Sequence, residues 1–224
     1  DCKACIPGMM EIISLKKVAS TNDIAREMGK QGAKGLVVVA EEQESGRGRN
    51  GRVWLSSEGG LYASFILEKK DLLPVISAVS AAETLETFIG KTAEIRWPND
   101  ILFEGKKICG ILCEGYRDFA VAGFGINVNN DVSLEETTSI KNEIRRSAHI
   151  DKVLDRLIEN IEKNMSKGSI MDDYRIRCEM IGRNVLVKLR DREIEGMADV
   201  DDTGYLIVNG LRIGVADAIK VEKD

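Results

Sequence analysis

The chain has 224 residues, of which 43% are hydrophobic and 31% charged, and its formal net charge is −5. This length supports one sizeable domain with at most a small second one, and the apolar content predicts a folded chain rather than a disordered one. The acidic balance argues against a general nucleic-acid binder, since such proteins are usually basic. No apolar run approaches the length that a membrane-spanning helix needs.

The first half of the chain is predicted to consist of strands and two helices. Ser20 and Thr21 form a helix start signal, and Gly32 lies near the expected stop of that helix. Apolar residues at helical spacing, with Pro74 in the first turn, predict a longer helix over residues 72–89. Alternating or β-branched runs predict strands, which cover residues 10–19 (one strand or two), 34–43, 59–68 and 93–98.

The second half is predicted to contain short strands, two helices and then more short strands. Residues 101–129 form a meander that breaks at Gly105 and near residues 115–118. Apolar spacing predicts helices over residues 150–165 and 170–180. After Gly182 the pattern changes to short strands, and their turns are expected at residues 191–192, 201–204 and 209–210.

These elements predict an α+β protein in which helices cover a mixed, largely antiparallel sheet, followed by a small barrel-like appendage. The expected domains are residues 9–181 and residues 182–224. Met9 or Met10 could be the natural start, so residues 1–8 are expected to be upstream sequence or an artificial extension.

Cysteine and histidine usage points away from metal chemistry. The five cysteines lack the spacing of a disulfide framework, which predicts a reducing cytoplasm. Cys2 and Cys5 have metal-ligand spacing, but no second pair of cysteines or histidines accompanies them, so no metal site is expected there. His149 is the only histidine and is expected to be an ordinary loop or helix-start residue.

Residues 46–52, with the sequence GRGRNGR, could form an anion-binding loop. Their glycines let the main chain approach a ligand closely, and successive N–H groups can form a concave anion site. Arg47, Arg49 and Arg52 add planar cationic groups that suit phosphate or carboxylate, and Trp54 adds a stacking surface. A mobile arginine-glycine linker is the alternative interpretation.

Three further motifs carry polar groups at strand ends. In RWPND, Asn99 and Asp100 could project into a cleft, although Asn and Asp also favour turns without any function. In GKKICGIL, Lys107 could neutralise an anion or could be a solvated surface lysine. In GFGINVN, Gly123 and Gly125 suggest close approach by a ligand or another backbone, and Asn127 shares a side with Asn129.

The order of STN, GRGRNGRVW, RWPND, GKKICGIL and GFGINVN over residues 20–129 resembles the biotin protein ligase family. The resemblance implies a catalytic domain related to class II aminoacyl-tRNA synthetases, followed by a small Src-homology-3-like barrel. It also implies a two-step reaction. Biotin and ATP, with Mg²⁺ on the phosphates, give biotinyl-5′-AMP, and a lysine of a biotin carboxyl carrier protein domain then accepts the biotin.

The same resemblance assigns roles to individual residues. Asp100 is a candidate to orient the acceptor amine or to take its proton. The residues expected to act catalytically are Lys107, Arg49 and Asp100. The residues expected around biotin are Ser20, Thr21, Asn22, Gln43, Arg47, Gly48, Arg49 and Lys107. Those expected to bind ATP are Arg47, Arg49, Arg52, Trp54, Asn99, Lys107 and Asn127.

Small departures and alternative functions remain. Arg96 stands where the family often has lysine, which keeps the charge, and the STN motif comes by residue 20 without a preceding helix-turn-helix. We therefore expect no DNA-binding repressor role, and a homodimer is left open. The alternatives are a lipoate or octanoate ligase, a regulator that binds biotin or a nucleotide without catalysis, and a nucleic-acid-binding module. The arginine loop is expected to be mobile when unliganded and ordered with biotin or biotinyl-AMP.

Overall fold

A computed structural model describes residues 10–131, 134, 136–215, 217–218 and 220–223 of the chain. The expectations for residues 1–8, including Cys2 and Cys5, lie outside this part. The strands are β1 Glu11–Val18, β2 Leu36–Gln43, β3 Leu61–Leu67, β4 Glu94–Arg96, β5 Asp100–Phe103, β6 Lys106–Gly115, β7 Ala120–Ile126, β8 Asn184–Lys188, β9 Glu193–Val200, β10 Leu206–Val208, β11 Leu211–Ile213 and β12 Lys220–Lys223. The helices are α1 Thr21–Lys30, α2 Leu73–Ile89, α3 Ile140–Ile144, α4 Ile150–Met165 and α5 Met171–Arg177, with a 3-10 turn at Arg49–Gly51.

The larger sheet has seven strands in the order β1-β2-β3-β7-β6-β5-β4. β1 and β2 are parallel, and the other neighbours are antiparallel. The predicted α+β architecture with a mixed, largely antiparallel sheet is therefore confirmed. Because β1 is one continuous strand, it runs straight into Ser20 and the start of α1.

Helices cover both faces of this sheet, so its central strands are buried on both sides. Every residue of β3 and of β7 is buried. Leu61 and Phe65 of β3 belong to the large core beneath α2 and α4, whereas Ile66 packs in a second core with α1. The strand period of two thus sends alternate side chains of β3 into two separate cores.

The predicted helices are present, with one difference in length. α2 and α4 match the predicted spans, and the buried residues of α4, such as Val153, Leu157 and Ile161, follow helical spacing. α5 ends at Arg177, before its predicted end, because Cys178 turns to an extended conformation and forms a parallel bridge with Ile95 of β4. The sequence did not predict α3. No helix in the described part of the chain combines the length and the apolar character needed to cross a membrane.

The C-terminal strands form a second sheet of five strands in the order β11-β10-β9-β8-β12. The predicted Asn209–Gly210 turn joins β10 and β11, and both residues have the positive φ angles, 51° and 76°, that this hairpin turn requires. The small sheet is fastened to the rest of the chain by hydrogen bonds. Trp97 Nε1 donates to Gly204 O at 3.0 Å, and Arg175 Nη2 donates to Val200 O at 3.2 Å.

Candidate functional site

A cavity of about 620 Å³ lies between the middle of the larger sheet, the arginine loop and the small sheet. This volume is typical of sites for small organic ligands. Gly110 and Gly125 form part of its floor, and Ala218 of the small sheet region closes one side. The candidate residues that line it are Ser20, Thr21, Asn22, Gln43, Arg47, Gly48, Arg49, Arg52, Trp54, Asn99, Asp100 and Lys107.

The arginine loop forms a hairpin over this cavity. Trp54 N donates to Gly46 O at 2.8 Å, and Gly48 N donates to Arg52 O at 2.7 Å. Asn50 takes a φ of 54° at the tip. These backbone bonds bring the three arginines of the loop to one rim of the cavity.

Neutral hydrogen-bonding groups gather at one end of the cavity. The backbone N and Oγ1 of Thr21 both donate to Gln43 Oε1, at 2.8 and 3.0 Å. Gln43 Nε2 in turn donates to Ser56 Oγ at 2.9 Å. The Ser64 hydroxyl lies 2.7 Å from Thr21 Oγ1 and 2.6 Å from Asn22 Oδ1. This end presents fixed donors and acceptors without net charge, which suits a polar but neutral ligand group.

Cations lie both beside this neutral end and away from it. Arg47 Nη2 donates to Asp23 Oδ1 at 2.7 Å. Lys107 Nζ lies 2.7 Å from Asp100 Oδ1. Together with Arg49, three of the cations that line the cavity could therefore face a ligand anion.

Arg49 connects the arginine loop to the small sheet. Its Nη2 donates to the carbonyl oxygens of Val215 and Ala218, the latter at 3.1 Å, and its Nη1 donates to Asn99 Oδ1 at 3.4 Å. Burial lowers the pKa of Arg49; the nearby Asp100 carboxylate raises it, and the Arg52 cation lowers it. Because this cation is partly removed from water, an anion placed beside it would interact more strongly than on an exposed surface.

Trp54 packs directly on the glycines of the cavity floor. A Cβ added to Gly125 would lie 2.2 Å from Trp54 Nε1, and one added to Gly110 would lie 2.7 Å from Trp54 Cζ3. Lys107 Nζ lies 5.2 Å from the centroid of the indole ring. The close approach expected at Gly123 and Gly125 is present, but side chains make it, those of Asn22 and Trp54 respectively.

Asn127 is the one candidate that the structure does not bring to the cavity. Its side chain is buried, donates to Thr138 O at 3.1 Å and accepts a hydrogen bond from Asn130 Nδ2 at 3.1 Å. Thr138 N donates to Lys107 O at 2.9 Å, so Asn127 supports the chain segment beside Lys107 from behind.

Sequence reasoning missed several residues that hold the site together. Ser64 anchors Thr21 and Asn22, and its signal was a lone hydroxyl inside an otherwise apolar strand. Glu114 accepts from Asn22 Nδ2 at 3.0 Å and lies 3.5 Å from Arg47 Nη2. No sequence signal marks the Val215 and Ala218 carbonyls, because every residue offers the same backbone group.

Comparisons with known proteins identify the family of the chain. Residues 15–131 match the Biotin/lipoate A/B protein ligase family. The chain is 30% identical over 219 residues to the bifunctional ligase/repressor BirA of Bacillus spizizenii, covering 85% of this chain and 67% of that protein. It is 28% identical to the biotin–[acetyl-CoA-carboxylase] ligase of Mycobacterium tuberculosis, covering 90% and 84% of the two chains.

Among solved structures, the chain is similar to the biotin protein ligase of Aquifex aeolicus in complex with biotin and ATP. The TM-score is 0.82 at 29% identity, and the match covers 95% of this chain and 99% of that one. Sequence, fold and cavity thus lead to the same assignment, and the chain belongs to the biotin/lipoate A/B protein ligase family.

Proposed function

We propose that this chain is a biotin–[acetyl-CoA-carboxylase] ligase, which activates biotin with ATP and transfers it to a lysine of a biotin carboxyl carrier protein domain. The observation that carries the proposal is the division of one cavity into a neutral end and a cationic end. Thr21 and Gln43 supply the neutral end, and Arg49 and Lys107 supply the cationic end. Arg47 lies beside the neutral end, where it pairs with Asp23. Similarity to ligases named for this activity, one of them solved with biotin and ATP, supports the same function.

In the first step, a biotin carboxylate oxygen attacks the α-phosphorus of ATP, and the bond from that phosphorus to pyrophosphate breaks. Both reactants are anionic, and two like unit charges about 4 Å apart repel by ~4 kcal/mol at an effective dielectric constant of about 20. Lys107 and Arg49 line the cavity, and as cations beside both reactants they would offset this repulsion. Apart from charge, the residues need only position the reacting atoms in line.

We propose that each substrate binds at one end of the cavity. We place the neutral biotin head group against Ser20, Thr21, Asn22 and Gln43, with the carboxylate pointing toward Lys107. Arg52 and Trp54 then lie on the nucleotide side, together with Asn99. Asn127 acts on that side indirectly, because it holds the segment that pairs with Lys107.

In the second step, the neutral amine of the acceptor lysine attacks the acyl carbon, and the bond to AMP breaks. The amine must lose a proton, and we propose that Asp100 orients it or takes that proton, since this carboxylate lines the cavity beside Lys107. Asp100→Asn should then slow transfer more than adenylate formation. Transfer at the original rate would contradict the assignment.

Mg²⁺ is proposed to arrive with ATP as part of the substrate. In the described part of the chain, no group of three or more metal-binding side chains is placed to hold an ion. Glu136 nevertheless lines the cavity, and Mg²⁺ bound to phosphates needs only one or two carboxylates from the protein. Glu136 fits that requirement and would hold the ion, which would supply charge neutralisation on the phosphates.

The two parts of the chain also have expected relationships to known folds. We propose that the larger part is related to class II aminoacyl-tRNA synthetases, that the small sheet forms a Src-homology-3-like barrel, and that the boundary lies near residue 182. A cytoplasmic location is supported by the free thiols of Cys109, Cys113 and Cys178. The expectation of no DNA binding and the option of a homodimer stay predictions.

One experiment tests the activity and the substrate together. The protein is incubated with ATP, Mg²⁺ and a biotin carrier domain, with either biotin or lipoate, and the carrier is weighed by mass spectrometry. A gain of one biotin only in the presence of biotin is expected, and Lys107→Gln should abolish it. A gain with lipoate instead would assign the chain to the lipoate branch of the family, and no gain with either would favour a regulator.

A further inference from the structure

A basic groove of about 500 Å³ lies beside the cavity. Its charged lining consists of five basic and two acidic side chains: Lys91, Lys106, Lys141, Arg145 and Arg146, with Glu104 and Glu143. The whole chain has a net charge of −5, so this groove is a local positive surface on an acidic protein. We refer to these seven residues as the basic groove.

Three of the basic side chains carry the excess charge. Lys91 already forms ion pairs, since its Nζ lies 3.0 Å from Glu104 Oε1 and 3.1 Å from Glu143 Oε2. By contrast, no ion pair within the described part of the chain involves Lys106, Arg145 or Arg146, and all three residues are exposed. Their charges are therefore available to an anionic partner.

The basic groove adjoins the cavity through one thin wall. Lys106 and Lys107 are consecutive residues of β6, and Lys106 lines the groove while Lys107 lines the cavity. Thr137 lines both. The wall is fixed to β6, because Lys107 N donates to Glu136 O and Thr138 N donates to Lys107 O, each at 2.9 Å.

We propose that the basic groove docks acidic side chains of the carrier domain that receives biotin. This inference rests on the proposed function. The acceptor lysine must enter the cavity to reach the acyl group near Lys107, so the body of its domain must rest on the rim of the cavity. The groove adjoins that cavity at Thr137. A positive rim on an acidic enzyme steers an acidic partner to that place and repels it elsewhere.

Charge reversal of two arginines tests the docking role. In Arg145→Glu/Arg146→Glu we expect the KM for the carrier domain to rise about tenfold or more, because attraction at the rim becomes repulsion. The salt dependence of transfer should also weaken, since screening acts on these exposed charges. Formation of biotinyl-AMP, and its reaction with a small amine such as hydroxylamine, should keep their original rates.

The matched control carries the same change of charge at the far edge of the larger sheet. Lys16→Glu/Lys34→Glu also alters four units of charge at two exposed residues, on β1 and just before β2. Its carrier KM should stay close to that of the original protein. If the double arginine variant does not fold, as judged by circular dichroism, Lys106→Glu tests the groove from the strand side.

The outcomes separate the two proposals. An unchanged carrier KM in the groove variants, with normal adenylate formation, overturns the docking role and leaves the ligase function standing. A raised KM for ATP or slower adenylate formation also overturns it, because the groove would then serve phosphate. If the unaltered protein forms no biotinyl-AMP at all, the proposed function fails, and the docking role fails with it.

Discussion

The Ser64 hydroxyl offers a sharp test of how the neutral end of the cavity is built. Ser64 is fully buried in β3, where it lies 2.6 Å from Asn22 Oδ1 and 2.7 Å from Thr21 Oγ1. It does not line the cavity itself, so it can affect ligand binding only through the two residues it holds. Ser64→Ala removes this hydroxyl with little change in volume.

The size of the effect follows from the hydrogen bonds lost. A buried acceptor left without a donor costs about 1–3 kcal/mol. We assume that about 1–2 kcal/mol of this cost is lost from the free energy of biotin binding because Thr21 and Asn22 shift. Biotin binding should then weaken roughly 5- to 30-fold, since about 1.4 kcal/mol corresponds to a factor of ten. The KM for ATP should change little, because the nucleotide side contains neither residue.

The assay compares two buried serines. Ser80 of α2 is equally buried, and its hydroxyl donates to Ile76 O at 2.7 Å and accepts from Asn164 Nδ2 at 3.1 Å, away from the cavity. Both variants should lower the Tm by about 2–4 °C per kcal/mol for a chain of this size. Only Ser64→Ala should raise the biotin Kd measured by calorimetry. Equal biotin affinities in the two variants would refute the positioning role of Ser64.

Three further predictions concern the cavity floor, the arginine loop and the thiols. In Gly125→Ala, the new Cβ would lie 2.2 Å from Trp54 Nε1, so we expect an altered tryptophan emission spectrum and a higher KM for ATP. Gly115→Ala, which meets no atom within 4 Å, is the control, and identical spectra would contradict the packing. Trypsin should cut within residues 46–52 faster without biotin and ATP than with them, and equal rates would argue against ordering by ligand. Burial raises the pKa of Cys113 to about 11 and that of Cys109 above its ordinary range, so both thiols stay protonated at pH 8. Peptide mapping after brief alkylation of the native protein should find the buried Cys109 unmodified and the half-buried Cys113 modified only slowly. Rapid modification of Cys109 would show that its thiol is accessible to the reagent.

The elements with strong periodicity could be predicted from the sequence, and the contacts between distant segments could not. α4 is an example of the first kind, since its buried residues follow helical spacing along the whole span. The end of α5 is an example of the second kind, because a contact with a distant strand sets it. Its apolar pattern continues to Met180, but the bridge between Cys178 and Ile95 of β4 ends the helix at Arg177. That bridge depends on where β4 lies, and local sequence contains no such information.

The candidate site shows the same division. The motifs predicted thirteen site residues, and twelve of them line one cavity, whereas Asn127 lies behind it. Ser20 shows why local chemistry alone was ambiguous. It stands at the N-cap of α1, but its side chain makes no capping hydrogen bond and the residue lines the cavity instead. The same residue type serves caps and ligands, so only the surrounding fold distinguishes the two roles.

The cations of the cavity all have protein partners, and this shapes how a ligand anion can bind. Arg47 pairs with Asp23, Lys107 pairs with Asp100, and Arg49 is held by carbonyl oxygens of the small sheet region. A carboxylate or phosphate must therefore exchange with these partners, so the net gain is smaller than the full attraction of three unpaired cations.

At Arg49 this exchange reaches across the molecule. Its carbonyl partner Val215 lies 166 residues further along the chain, in a region that Trp97 also anchors through Gly204. If a ligand phosphate takes Arg49 from these carbonyls, the small sheet loses part of its attachment to the arginine loop. By linkage, anion binding at Arg49 and attachment of the small sheet to Arg49 weaken each other by one and the same coupling free energy. The small sheet is therefore expected to tune the affinity of the cavity for its anionic ligand through Arg49.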